Sequence, residues 1–197
     1  MEFTKSLILI VSISSLLLSI NAVPTTSYTA LTPAASEPGR LIGIRVIPEV
    51  ILFCKDTENP ILCAETIVPY FQGEFNPIVA LHSEFEATLN QSLKVANIIA
   101  QLQVPKEAID ALDICKKQYE YIVDTIKEAD ELLNISNVVD AYYKFASVLA
   151  YRSACEDAFV ESNGVLNPFA EDSLIVYQLG GNCLAILDGI INSNYRF

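Results

Sequence analysis

Cys115 and Cys155 sit on two strongly periodic stretches separated by one short break, and that arrangement limits the fold more than any other feature of the chain. The first stretch carries Ile109, Leu112, Cys115, Tyr119, Ile122, Ile126, Ala129 and Leu133. The second carries Val139, Tyr142, Ala146, Leu149 and Phe159, with Cys155 close to the same stripe. Steps of three and four bring side chains to one helix face, so both stretches read as amphipathic helices burying one side. Only Asn134-Ile135-Ser136-Asn137 lies between them, a link short enough to force antiparallel neighbours. At a rise of 1.5 Å per residue both sulfurs fall roughly 30 Å from the turn, at the same level. A disulfide is geometrically natural there.

The other elements follow the same pattern. Pro77 opens a first long helix with Asn76 as its N-cap, and Ile78, Leu81, Phe85, Leu89, Leu93, Ala96, Ile99 and Leu102 form its stripe. Pro105 opens the second long helix, and Ser136 or Asn137 caps the third. Glu161-Ser162-Asn163-Gly164 and Pro168 hold a loop open. A fourth helix then starts at Asp172 or Ser173 and runs through Leu174, Tyr177, Leu184, Leu187 and Ile191. Inside it Gly180-Gly181 costs about 1 kcal/mol per glycine relative to Ala, a sign of close packing or a kink. Upstream, Leu41 to Phe53 allows a short or broken helix around Pro48. Cys54 to Cys63 encloses the turn formers Asp56, Thr57, Asn59 and Pro60, which predicts a tight helical hairpin clipped by its own cysteines. Ala64 to Phe75 continues as a short helix. No strand alternation or internal repeat is present. The expected fold is all-α: an up-and-down four-helix bundle with an N-terminal helical hairpin extension and two disulfides.

Residues 1–22 read as a secretory signal peptide: Lys5 supplies the positive charge, Leu7 to Ile20 the apolar core, and Asn21-Ala22 a small-residue end. Its apolar run of about 14 residues is short for a membrane span, and no other stretch reads as long and apolar enough. Residues 23–40, rich in Pro, Ser, Thr and Ala, read as a flexible tail, and 41–193 as the helical domain. Secretion permits disulfides. Pairing four of the five cysteines allows many connectivities, which sequence alone does not settle. Helical register favours Cys115 with Cys155, leaving Cys54 and Cys63 as a local clip and Cys183 as a buried free thiol, with pairing between molecules as its alternative. In the chain-entropy view the long loop contributes roughly 4 kcal/mol and the short one roughly 2.5–3.

The net charge of −12 argues against nucleic acid or an anionic membrane as partner. Chemistry is scarce. His82 is the lone histidine, with no nucleophile motif beside it, and reads as a surface or packing residue. No Cys-x2-Cys or His pair suggests a metal site, and no glycine-rich loop suggests a phosphate or cofactor. The acid pairs Glu156-Asp157 and Glu171-Asp172 read as solvated surface. Glu128, Asp130 and Glu131 place negative charge against the helix dipole, a hint of a partner-facing patch. Asn90-Gln91-Ser92 and Asn134-Ile135-Ser136 are glycosylation sequons on Asn90 and Asn134. The chain reads as a protein without catalytic residues, metal or cofactor.

Ser153-Ala154-Cys155-Glu156-Asp157-Ala158-Phe159 is similar to the Cys-(Glu/Leu)-Asp-(Gly/Ala)-Phe signature of the plant invertase and pectin methylesterase inhibitor family. Leu179 and Asn182-Cys183-Leu184-Ala185-Ile186 resemble that family's last-helix pattern, and the layout of the first four cysteines resembles its own. The likeness runs from about Arg45 to Asn192. It implies pairing of the first two and the next two cysteines, and a secreted inhibitor in the cell wall, or alternatively the vacuole. That inhibitor would be a monomer when free and would bind an invertase or a pectin methylesterase one to one. Cys54-Lys55-Asp56-Thr57-Glu58-Asn59 resembles the invertase-type opening Cys-Lys-Asn-Thr-x-Asn, whereas the Pro-Lys-Phe segment of invertase inhibitors is absent, with Tyr143-Lys144-Phe145 a loose echo.

Such a protein would act by occlusion, its exposed helix faces and connecting loop covering a substrate cleft. Lys116, Glu120, Asp124, Lys127, Glu128, Asp140 and Lys144 are the candidate partner-binding residues by position. Carboxylates with an ordinary pKa of about 4 titrate just below cell-wall pH and allow a pH-dependent complex. The alternatives are a helical-bundle ligand for a receptor, a diverged binding protein without inhibitory activity, and a small-molecule carrier with a cavity in the bundle.

Overall fold

The computed structural model describes residues 47–71, 74–162 and 165–192. The signal peptide, the tail and the domain boundary at 41 lie outside the described residues. Among these the chain forms six α-helices and no strand: α1 (Pro48–Cys54), α2 (Pro60–Ile67), α3 (Pro77–Gln101), α4 (Ile109–Asn134), α5 (Val138–Val160) and α6 (Ala170–Ile191). The fold is an all-α bundle in which α3, α4, α5 and α6 pack in a closed ring of neighbours. The α1–α2 hairpin lies against α3 and α6.

Local chemistry sets the element ends. Asn59 caps α2 by accepting from the Leu62 N–H at 3.1 Å. Asn76 caps α3, accepting from the Ile78 and Val79 N–H groups at 2.9 and 3.2 Å. Each cap precedes a proline whose fixed φ suits the first helical turn. Pro105 begins a 3-10 turn, Lys106–Ala108, and α4 starts only at Ile109, because Pro105 itself is extended and Ala108 breaks the helical angles. The link from α4 to α5 closes with Ser136 in the left-handed region at φ 60. The Asn137 N–H donates to the Leu132 carbonyl at 2.9 Å and the Ser136 N–H to that of Leu133 at 2.9 Å, the Schellman arrangement that ends a helix. Cys115 and Cys155 are disulfide-bonded with Cα atoms 4.5 Å apart, and Cys54 and Cys63 with Cα atoms 5.7 Å apart; Cys183 is free and buried.

The core is aromatic at two levels. Phe85 stacks on Phe145 with ring centroids 4.5 Å apart, and Phe169 meets Tyr119 and Phe159 edge-on at 6.2 and 5.6 Å. Burying side chains of this size contributes about 1.5–3 kcal/mol each.

Three helices bury a face rotated from the one their apolar residues suggest. On α5 the buried line is Ala141, Phe145, Val148, Cys155 and Phe159, while Val139 is exposed and Tyr142, Ala146 and Leu149 are half-buried. On α6 it is Ser173, Val176, Gly180, Cys183 and Leu187, with Leu174 and Ile191 outside. On α3 it takes in Glu84, Thr88 and Ser92 and leaves Leu93 exposed. For α5 and α6 the reason is the same: apolar residues surround both, so periodicity leaves their orientation open, and fixed contacts decide it. By length and composition α6 would also pass for a membrane span, contrary to the sequence expectation. In the fold one side of it is bundle core, and it carries Ser173 and Asn182 there.

Gly180 and Gly181 permit close approach rather than a kink, since α6 runs unbroken through them. A Cβ on Gly180 would lie 2.8 Å from Leu149 Cδ2, and one on Gly181 2.6 Å from Glu58 Cβ. The second contact seats the hairpin loop on α6.

Candidate functional site

The seven candidate residues are all exposed, on α4 (Lys116, Glu120, Asp124, Lys127, Glu128) and the first half of α5 (Asp140, Lys144). Two come together: Lys144 Nζ lies 2.7 Å from Glu128 Oε2, which raises the Lys144 pKa from its ordinary value. Asp140 is occupied locally, accepting from Asn137 Nδ2 at 2.7 Å where Asn137 caps α5. The remaining four form no ion pair among the described residues.

Around the Glu128–Lys144 pair runs an aromatic seam that the charge pattern did not reveal. Tyr121 and Tyr151 face each other across α4 and α5 with centroids 5.5 Å apart. One heptad on α4 separates Tyr121 from Glu128, and one on α5 separates Lys144 from Tyr151. Both pairs therefore share the α4–α5 groove. Past the turn Ile135, Val139 and Tyr143, at four-residue steps, are 72%, 48% and 69% exposed, the last two on the outer face of α5. The findable signal was that heptad spacing of tyrosines and charges. An exposed patch rich in tyrosine with a polar rim has the anatomy of a protein-contact surface.

The residues that carried the family resemblance are structural. Cys155 is bridged, Ala158 and Phe159 are buried, and Glu156 is the hub of a network rather than solvated surface. Its Oε1 accepts from Asn167 Nδ2 at 3.0 Å and from Ser173 Oγ, and lies 3.3 Å from Arg152 Nη2. Tyr119 donates to Ser173 Oγ at 3.0 Å, and burial pushes its pKa up to about 12. Asp172 is likewise engaged, held by Lys94 at 2.6 Å and Gln91 at 3.0 Å, which lower its pKa. Asp157 and Glu171 are exposed.

A second polar group lies under the hairpin. Asn182 Oδ1 accepts from the Asn59 N–H at 2.8 Å, and Asn59 Nδ2 donates to Gln178 Oε1 at 3.2 Å. Fully buried Glu84 adjoins Asn182. Neither carboxyl oxygen nor Asn182 Nδ2 reaches hydrogen-bond geometry with any group. Desolvation pushes the Glu84 pKa up to about 8, the nearby Asn182 carboxamide opposing the rise.

His82 is engaged structurally, its Nδ1 2.7 Å from Asp130 Oδ1, which links α3 to α4. At the acidic end of α4 the Lys144 ammonium offsets Glu128. Among the described residues no cluster of His, Cys, Asp or Glu is placed to hold a metal. A cleft of about 110 Å³ lies where α2 and its 3-10 turn meet the start of α3, lined by Ile67, Tyr70, Phe71 and Val79, and not among the four bundle helices. Asn134 is exposed at the end of α4. Asn90 is exposed on α3, with Ser92 of its sequon buried and donating to the Thr88 carbonyl at 2.7 Å.

The family model described as plant invertase/pectin methylesterase inhibitor matches residues 49–186. No curated protein sequence matches the chain. Two solved Arabidopsis structures share the fold. A mutant form of a pectin methylesterase inhibitor has a TM-score of 0.61 at 18% identity, covering 71% of this chain and 95% of its own. A pectin methylesterase inhibitor from Arabidopsis thaliana has a TM-score of 0.55 at 19% identity, covering 72% of this chain and 95% of its own.

Proposed function

Because the chain belongs to the plant invertase/pectin methylesterase inhibitor family, whose members are inhibitors and not enzymes, we propose that it is a secreted inhibitor of an invertase or a pectin methylesterase. It is a monomer when free and binds its target one to one, in the cell wall or the vacuole. The family match across the described bundle carries this reading. The contact surface is the α4–α5 groove, with the Tyr121–Tyr151 and Glu128–Lys144 pairs, together with the neighbouring outer face that exposes Ile135, Val139 and Tyr143. Rigid aromatic area of this kind contributes most of the binding energy at protein interfaces. With no reacting group to offer, the protein acts by covering the target's substrate cleft. A glycan on Asn134 would sit at the edge of this surface, and one on Asn90 on α3.

The test is inhibition of purified invertase and pectin methylesterase by the oxidised protein, side by side at about pH 5. Inhibition of one enzyme is expected, weakened at least tenfold by Tyr121→Ala with Tyr143→Ala. Inhibition of neither enzyme would overturn the assignment and favour a diverged binding protein. Inhibition that ignores the double substitution would move the contact surface elsewhere.

A further inference from the structure

We propose that Glu84, Asn182 and Asn59 form a protonation-gated latch: with the Glu84 carboxyl neutral the disulfide-clipped hairpin is clamped to the bundle, and ionisation releases it. Three observations meet in this chain of residues. Glu84 on α3 is fully buried and both its oxygens lack a partner. Asn182 on α6, also fully buried, leaves its Nδ2 unpartnered and commits its Oδ1 to the Asn59 backbone. Asn59 in turn caps α2 and reaches Gln178, so the hairpin's seat on α6 passes through the residue beside Glu84. Next to Asn182, Gly181 admits Glu58 against the helix backbone.

No cation faces Glu84, and only the Asn182 carboxamide favours its charged form. From α6 it faces the Cys183 thiol, which is itself buried with its pKa raised, in part by Glu84, and which lies 3.5 Å from Thr88 Oγ1. On α3 the Thr88 and Ser92 hydroxyls are turned back to helix carbonyls. From the hairpin Glu58, of the same sign, lies against Gly181, next to Asn182. No charged group of α4 or α5 contributes to the Glu84 environment, and the His82–Asp130 pair between α3 and α4 is satisfied internally. An ionised Glu84 would be a buried charge without a cation, a state that proteins relieve by admitting water. The least costly opening is the hairpin seat.

The sign follows from linkage. Glu84 goes from an ordinary 4.5 in the open form to about 8 in the closed one. The closed form therefore holds a proton that the open form has released. Closure is most favoured below about pH 4.5 and loses about tenfold per pH unit from there to pH 8. The latch is tightest in an acidic compartment.

Hydrogen exchange between pH 5 and 8, corrected for intrinsic rates, tests this on the oxidised protein. Protection of the α2 amides from Cys63 to Ile67 is expected to fall about tenfold per pH unit while that of α4 from Ile122 to Ala129 holds. In Glu84→Gln the α2 amides should show no such fall. Protection that is indifferent to pH, that falls in both helices together, or that falls equally in Glu84→Gln would overturn the latch. Should that variant not fold, carboxyl-carbon NMR of the unaltered protein decides: a Glu84 midpoint near 8 supports the latch, and one below 5 sinks it.

Discussion

Two glutamates, both on bundle helices and both withdrawn from solvent, are treated in opposite ways. Glu156 stands in a closed network in which Arg152, Ser173 and Asn167 converge on one oxygen, and Tyr119 completes the Ser173 hydroxyl. Glu84 has no cation and no hydrogen bond, only the nearby Asn182 carboxamide. The first arrangement fastens α5 to the start of α6 and to the loop before it, the price being a single permitted geometry. The second leaves a proton to do what Arg152 does for Glu156. A satisfied half-buried acid makes a joint, and an unsatisfied, fully buried one makes a condition on pH.

Deleting each acid breaks or keeps this contrast. Glu156→Ala would take the carboxylate from Asn167, Ser173 and a half-buried guanidinium that keeps only Ser173 Oγ and the Tyr177 ring, and is expected to cost about 2–3 kcal/mol. A urea midpoint shift at unchanged slope, measured at pH 5 and again at pH 8, checks it. Glu84→Gln should shift the midpoint the other way at pH 8, since it removes a group that pays to ionise. If both substitutions destabilise at pH 8, the two sites do not differ in the way their hydrogen bonds suggest.

A smaller effect separates the two adjacent glycines. Gly181→Ala presses a methyl within 2.6 Å of Glu58 Cβ, close to the loop backbone, so the hairpin must move. Gly180→Ala meets Leu149 Cδ2, the far end of a side chain that can swing aside. Both gain about 1 kcal/mol of helix propensity, and overpacking costs about 1–3 kcal/mol. Gly181→Ala should therefore lose about 1 kcal/mol and expose the hairpin to exchange, while Gly180→Ala stays within about 0.5 kcal/mol of the parent. Equal losses at the two positions would show that α6 itself, rather than the hairpin seat, is what responds.

Much of this molecule was legible because helix number and order depend on signals that sequence states openly. Asn76 before Pro77 is the expected cap, Asn59, read as a turn former, also caps α2, and the short break at Asn134 does place α4 and α5 antiparallel. What periodicity could not settle was rotation. Val139 and Leu174 are as apolar as any core residue, yet Phe145 and Val176 take the inside, because the Cys115–Cys155 bridge and the Ser173 network fix each helix about its axis. The acid at 156 read as surface for the same reason: its partners, Ser173 and Asn167, arrive from another element. Glu84 was invisible because an α3 stripe drawn through Ile78, Leu81 and Phe85 passes beside it. The candidate contact residues lie on exposed faces of α4 and α5, but the tyrosines between them became a surface only when Tyr121 was seen to meet Tyr151.

Tyr119 supplies the finest test of the contrast. Its hydroxyl donates to Ser173, which keeps its bonds to Glu156 and Arg152 when that donor is gone. Tyr119→Phe removes one neutral hydrogen bond and leaves no buried charge unpaired, so the expected loss is about 1 kcal/mol. Burial raises the tyrosine from its ordinary 10.0 to about 12. As with Glu84, the folded form holds its proton more tightly than the unfolded one. This stability is therefore complete below pH 10 and fades as pH rises toward 12, far above the window in which Glu84 acts. The cost of Tyr119→Phe should accordingly be the same at pH 5 and pH 8, where that of Glu84→Gln changes sign or size. A Tyr119→Phe cost that drifts by more than about 0.5 kcal/mol across that interval would mean that the closed network senses a group titrating there. The two glutamate sites would then be one coupled system rather than a joint and a latch.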